Sequence, residues 1–203
     1  MRFPVSLVLA LVAACSLFAD REAAADRRPR VARWIALANG CRPDYGTGGA
    51  GCVVQQLFEQ GYADTAFAYL VQPECPGYQV WFDRWHLTAL PESWDPDRAG
   101  PGADSRFHGV FSSVCDTLYR SLAGFRHDAD LDGAREVRIR PSFPSELGDF
   151  AAEHAGYRVA WRREGRRIRL EVTVPAGKTA ELQLPGLEPR RLGPGTETFD
   201  WHS

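Results

Sequence analysis

The chain has 203 residues, enough for one ordinary domain or two small ones, and its 44% apolar and 25% charged content is that of a globular protein. A formal net charge of −2 gives no basic field and argues against a nucleic-acid partner. Five cysteines, Cys15, Cys41, Cys52, Cys75 and Cys115, are odd in number and form no C-x-x-C, which argues against a zinc site or a disulfide framework and points to buried free thiols.

The first stretch, MRFPVSLVLALVAACSLFAD, admits two readings. Arg2 followed by an apolar run has the form of a secretory signal, and LVAAC has the form of a lipoprotein cleavage box ending at Cys15. The same run also reads as a buried helix, with a charged helix after it. Under the signal reading the protein is secreted or lipid-anchored; under the helix reading it is cytoplasmic. Beyond this segment, nothing is long and apolar enough to span a membrane. Val31, Trp34, Ile35 and Ala38 then fall at helical spacing. NGCRPDYGTGGAG (39–51) is glycine-rich but lacks the G-x-x-x-x-G-K-[ST] pattern of a phosphate cradle, so it reads as a tight loop between helices.

Val53, Val54, Leu57 and Phe58 mark a short helix stopped by Gly61. YADTAFAYLVQ is another, with Asp64 as its expected cap. PECPGYQVWFDRWH (73–86) breaks the pattern with two prolines. After the Asp/Pro/Gly loop 95–105, FHGVFSSVCDTLYRSLAG is the clearest helix. Its expected apolar stripe is Val110, Phe111, Val114, Leu118, Tyr119 and Leu122, and Gly124 stops it.

Past about residue 134 the period changes from 3.6 to 2. REVRIRP alternates, with Val137 and Ile139 on one face, and YRVAWRREGRRIRLEVTVP reads as a hairpin turning at Glu164-Gly165. KTAELQLP and TFDW read as further strands. The expectation is a mainly helical part followed by a small antiparallel sheet structure, with the boundary near residues 127–135.

Three groups of residues could carry chemistry. Asp128, Asp130, Asp132 and Gly133 match the opening of a calcium loop, but position twelve, which needs Glu, is Ile139; the expectation is a solvated turn and no metal. Glu92 lies close to Trp81, Trp85 and Trp94. A carboxylate beside an aromatic wall is the arrangement that positions a sugar and tunes a carboxyl group for proton transfer. Glycoside hydrolysis needs two carboxyls, one donating to the leaving oxygen and one activating water or attacking. His108, at the start of the long helix, could hydrogen-bond a sugar hydroxyl, although a lone histidine is more often structural.

Several stretches, in order, resemble the bacterial α-L-rhamnosidases of glycoside hydrolase family 78. TGGAGCVVQQLFEQGYADTAFAYLVQPECPGY resembles the family's glycine loop, helix, G-x-x-D-x-A and P-x-x-G-Y. TALPESW resembles T-T-x-W-E-x-W. SRFHGVFSSVCDTLYRSLAGF resembles S-x-N-H-x-x-F-G-S-V-x-x-W-L-Y-x-x-L-A-G. VRIRPSFP and LEVTVPAGKTAELQLP resemble strands of the family's C-terminal β-sandwich. Together they cover about residues 39–185.

The resemblance implies part of an (α/α)6 barrel over residues 20–127 and a β-sandwich domain over 134–203, with residues 1–19 as an apolar barrel helix or a signal. It implies inverting hydrolysis of terminal α-L-rhamnosides without a cofactor. Glu92 takes the general base's place, Trp94 that of the sugar-facing aromatic and His108 that of the substrate-contacting histidine; Trp81 and Trp85 complete the expected substrate wall. Pro91 stands where the family has Trp, and Phe107 where it has Asn, which puts sugar specificity in question. About 130 residues precede the sandwich, too few for twelve helices at about 11–12 residues each plus loops. No residue matches the family's general acid. The expectation is therefore an α-L-rhamnosidase-like chain in truncated form, acting on rhamnose-containing glycosides. The alternatives are a subunit complemented by a chain that supplies the missing half of the barrel, and a non-catalytic carbohydrate-binding module.

Overall fold

The computed structural model describes residues 47–97, 105–126 and 136–202. The N-terminal helices expected before residue 39 and the aspartates 128–132 lie outside these residues. The chain divides into two compact units, Met1–Val114 and Cys115–Ser203.

The first unit is helical. Helix α1 (Thr47–Glu59) begins inside the glycine-rich stretch that reads as loop in the sequence. Val53, Val54, Leu57 and Phe58 are buried, at the 1, 4, 5 spacing of one helical face. The helix ends in a Schellman motif: Gly61 sits at φ +85°, its N–H donates to the Phe58 carbonyl (3.1 Å), and the Tyr62 N–H donates to that of Leu57 (2.9 Å). Helix α2 (Ala63–Leu70) follows at once and buries Ala66, Tyr69 and Leu70. Its N-cap is Tyr62 rather than Asp64; Asp64 lies in the first turn, where a carboxylate favours the positive end of the helix dipole. A third helix, α3 (Tyr78–Asp83), lies within the stretch 73–86 where the prolines break the helical pattern. The prolines precede it, with Cys75–Pro76 cis, and leave its hydrogen bonds intact. A 3₁₀ turn at Gly109–Phe111 follows.

The long helix expected from residue 107 onward is three pieces: that 3₁₀ turn, α4 (Ser113–Thr117) and a π-helical stretch, Leu118–Ala123. The change of winding moves the buried face. Thr117, Ser121, Leu122 and Ala123 are buried, whereas Tyr119 is 43% exposed; of the expected apolar stripe, Phe111 and Leu122 are fully buried and Val114 and Leu118 half-buried. Gly124, at φ +81°, ends the helix, and its N–H donates back five residues to the Tyr119 carbonyl.

The second unit is built on two four-stranded sheets. One has the order β1 (Phe125–Arg126), β2 (Glu136–Ile139), β6 (Thr179–Leu182), β7 (Arg190–Leu192); the other has β3 (Asp149–His154), β4 (Tyr157–Glu164), β5 (Arg167–Val174), β8 (Gly195–His202). Neighbours are antiparallel except β2 and β6, which pair in parallel from Glu136↔Thr179 to Ile139↔Leu182, a departure from the wholly antiparallel expectation. Alternation sets the inner faces. Tyr157, Val159 and Trp161 on β4 and Ile168, Leu170, Val172 and Val174 on β5 share one core with Val137, Ile139, Ala180, Leu182 and Leu192 of the other sheet. Burying each aliphatic side chain contributes about 1.5–3 kcal/mol. The Trp161 indole N–H donates to the Leu122 carbonyl (3.1 Å), which satisfies an acceptor at the end of the π-helical stretch.

Two hairpins show how turns set register. The β4–β5 loop is Gly165-Arg166, one residue later than expected, with Glu164 facing Arg167; Gly165 at φ +62° is the first central residue, as in a type II′ turn. The β3–β4 loop is Ala155-Gly156, with φ of +51° and +80°, the sign pattern of type I′. Ala155 therefore holds a left-handed conformation usually taken by Asn or Gly.

Candidate functional site

The segment Leu90–Asp97 and the segment Ser105–His108 lie side by side in the first unit. The Glu92 N–H donates to the Ser105 carbonyl (2.8 Å), and the His108 N–H donates to the Leu90 carbonyl (2.8 Å). The Ser105 N–H donates in turn to Glu92 Oε2 (2.9 Å). Three bonds thus bring the stretch bearing the candidate base against the stretch bearing the candidate histidine, although 13 positions separate Glu92 from Ser105.

Farther along, Asp97 ties the same two segments. One of its oxygens accepts from the Trp85 indole N–H (2.7 Å) and the other pairs with Arg106 (2.9 Å). Arg84 also stacks over the Trp85 ring at 5.1 Å. Asp95 Oδ1 accepts the Asp97 N–H (3.1 Å), a local turn that presents Asp97. The Arg106–Asp97 pair is more than half exposed, so its role is to select a geometry and its own stabilisation is small.

Two residues after Glu92, Trp94 joins an aromatic cluster. Trp94 stacks on Trp81 with centroids 4.9 Å apart and planes at 18°, meets Tyr78 edge-on at 5.2 Å, and lies against Phe111 at 4.4 Å. The Trp94 carbonyl accepts from the Trp81 indole (3.1 Å) and from the Cys75 thiol (3.4 Å). Trp81, Tyr78 and Phe111 are buried, Trp81 and Phe111 completely. Trp94 is only partly buried and forms the accessible side of the cluster. Offset and edge-on ring contacts of this kind contribute about 0.5–1.5 kcal/mol each beyond burial, so the wall is a rigid one.

The residues expected from the sequence are therefore distributed as follows. Glu92 is half-buried with one carboxylate oxygen bound; Trp94 is the face of the wall and Trp81 its buried backing; Trp85 is engaged by Asp97; His108 is exposed beside Leu90. Four residues are given no site role by the sequence: Tyr78, Phe111, Asp97 and Ser105, although all but Asp97 fall in stretches that resemble the family's. Phe111 reads there as helix core and Tyr78 falls in the proline-broken stretch, and nothing in their spacing announces that they meet. The expectation of buried thiols fails at Cys115, which is exposed, while Cys75 is half-buried. Among the described residues, no group of three or more His, Cys, Asp or Glu is placed to hold a metal ion. Among them also, no helix is long and apolar enough to cross a membrane.

Two family models match the chain. That of the bacterial alpha-L-rhamnosidase 6 hairpin glycosidase domain matches residues 4–122, and that of the bacterial alpha-L-rhamnosidase C-terminal domain matches residues 124–199. An alpha-L-rhamnosidase of Streptomyces avermitilis is 29% identical over 190 residues, covering 88% of this chain and 18% of that protein. The crystal structure of a Streptomyces avermitilis alpha-L-rhamnosidase complexed with L-rhamnose superposes with a TM-score of 0.77 at 25% identity, over 95% of this chain and 21% of that one. An Aspergillus terreus alpha-L-rhamnosidase structure gives a TM-score of 0.78 at 22% identity, over 94% and 23%, a likeness of fold. The chain spans about a fifth of the length of these relatives.

Proposed function

The chain belongs to the bacterial alpha-L-rhamnosidase family, and from that premise we propose that it carries the base side of an inverting α-L-rhamnosidase site. In this reading its helices are part of an (α/α)6 barrel, residues 20–127, and the two sheets are the C-terminal sandwich, residues 134–203. The substrates are rhamnose-containing glycosides. The observation that carries the reading is the lacing of Leu90–Glu92 to Ser105–His108, which sets a carboxylate, an aromatic wall and an exposed histidine on one short piece of structure.

The roles follow from chemistry. Inversion requires a carboxylate that removes a proton from water on the face opposite the leaving group, about 6.5–9.5 Å from the acid. Glu92 is that base. Trp94 offers the sugar's apolar face a flat partner, and its position is held from behind by Trp81, Tyr78 and Phe111. Trp85 is held by Asp97, and His108 supplies a hydrogen bond to a sugar hydroxyl. The acid comes from a segment outside the described residues or from a chain that completes the barrel.

Hydrolysis of a chromogenic α-L-rhamnoside by the purified chain, beside its Glu92→Gln variant, tests the reading. The expected result is a rate that falls by about 10²–10⁴-fold in the variant, the share of a general base. Equal rates in the two proteins would remove Glu92 from the chemistry. L-rhamnose binding that survives the substitution, without hydrolysis by either protein, would favour the non-catalytic carbohydrate-binding alternative.

A further inference from the structure

We propose that Ser105 is the positioning residue for the Glu92 carboxylate; the proposal rests on the reading of Glu92 as general base. Both backbone groups of Ser105 go to Glu92. Its carbonyl accepts the Glu92 N–H at 2.8 Å and its N–H donates to Glu92 Oε2 at 2.9 Å. Main chain and side chain of the glutamate are thereby clamped to one residue, in a closed ring of two hydrogen bonds.

The ring settles a torsion that is otherwise soft. Rotation of a carboxylate about its last carbon–carbon bond is broad and roughly two-fold, so a glutamate held only by its backbone does not aim its oxygens. An amide on Oε2 sets the plane. Oε1 has no hydrogen-bond partner among the described residues and is left to take a proton from water. A base needs this division: one oxygen anchored, the other open.

The serine hydroxyl explains why this residue type stands here. Oγ accepts the Phe107 N–H (3.1 Å) and donates to the Phe107 carbonyl (2.8 Å). It closes the turn that runs from the clamp to His108, whose N–H is fixed on Leu90. Phe107 itself is 81% exposed, so its side chain gives the turn no packing and the hydroxyl is what holds it. Alanine would keep the amide and lose the lock; threonine would keep both.

The test uses the full chain. In ¹⁵N-labelled protein, exchange of the amide at position 105 is compared among wild type, Glu92→Ala, Ser105→Ala and Ser105→Thr. The amide is expected to exchange about tenfold faster in the first two variants, the scale of one charge-assisted hydrogen bond, and at the wild-type rate in Ser105→Thr. In hydrolysis of a chromogenic α-L-rhamnoside, Ser105→Ala should lower kcat by about 10–100-fold through misaiming, with KM within about twofold, and threonine should restore it. Equal exchange in wild type and Glu92→Ala overturns the clamp. A change confined to KM, or none, overturns the positioning role. If wild type hydrolyses nothing, alone or with a chain that completes the barrel, the general-base reading is what fails, and the exchange comparison alone then upholds or overturns the clamp.

Discussion

Gly124→Ala tests the junction where the π-helical stretch hands over to β1. Two costs add there. The residue sits at φ +81°, where an L side chain costs about 1–2 kcal/mol. A Cβ would also run into the backbone of Arg140 and Pro141, with the Arg140 oxygen 2.6 Å away. Backbone cannot swing aside as a side chain can, and forced overpacking costs about 1–3 kcal/mol more. The shift would also disturb the Arg140 N–H bond to the Gly124 carbonyl (2.8 Å) and the buried pair Phe125↔Ile139 just beyond it. The expected loss is about 2–5 kcal/mol. Gly177→Ala is the control: at φ +75° it is the third residue of the Pro175–Lys178 turn and nothing lies within 4 Å of the new Cβ, so only the conformational cost of about 1–2 kcal/mol applies. Urea unfolding followed at the Leu170 and Val172 amides reads the second unit by itself. Two variants equal within about 0.5 kcal/mol would show that close approach at Gly124 contributes nothing, and would refute the reasoning.

Two further outcomes are expected in the same unit. Burial, and secondarily the Glu136 carboxylate, raises the Tyr157 phenol above its ordinary value of 10.0. A raised acid favours the folded state fully below the unfolded value and loses that contribution as pH rises through the folded one. Stability should therefore fall above pH 10 more steeply in wild type than in Tyr157→Phe, and parallel urea midpoints across that range would contradict the linkage. Ala155→Asn, placed at the φ +51° position of the β3–β4 turn, should raise stability by about 0.5–1 kcal/mol in the same urea assay, and a loss would show that the turn tolerates alanine without strain.

The sheets were legible where alternation was strict. β4 and β5 carry buried residues at every second position, so the hairpin reads directly from YRVAWRREGRRIRLEVTV. β3 stayed hidden because DFAAEH offers only Phe150 and Ala152 to the core side, both half-buried, and its turn lacks the Asn-Gly signal. β7, Arg190–Leu192, buries a single side chain and has no period to detect. The apolar stripe expected after residue 107 fails at Tyr119 and misses Ser121 and Ala123 because Leu118–Ala123 wind as a π-helix and depart from the 3.6 period.

The site was less legible. Glu92, Trp94 and His108 stood out through resemblance in order, and composition alone could not have chosen them. Ser105 fell within the resembling stretch but had no signal of its contacts, which are made by its backbone and by a hydroxyl turned onto Phe107. Asp97 reads as one more acidic loop residue, and only the fold brings Trp85 and Arg106 onto it. The ring cluster joins residues as far apart as Tyr78 and Phe111, a proximity set by tertiary packing and invisible to any local pattern.

The parallel pairing of β2 with β6 has a consequence for synthesis. Glu136 and its partner Thr179 are 43 residues apart, and the whole β3–β4–β5 meander is made between them. A ribosome adding about 5–20 residues each second needs roughly 2–9 s to cover that interval. Through it Val137 and Ile139 have no ladder neighbour on the β6 side, while the later-made β4–β5 hairpin can already close. The nascent chain thus carries an open β2 edge until Leu182 has emerged.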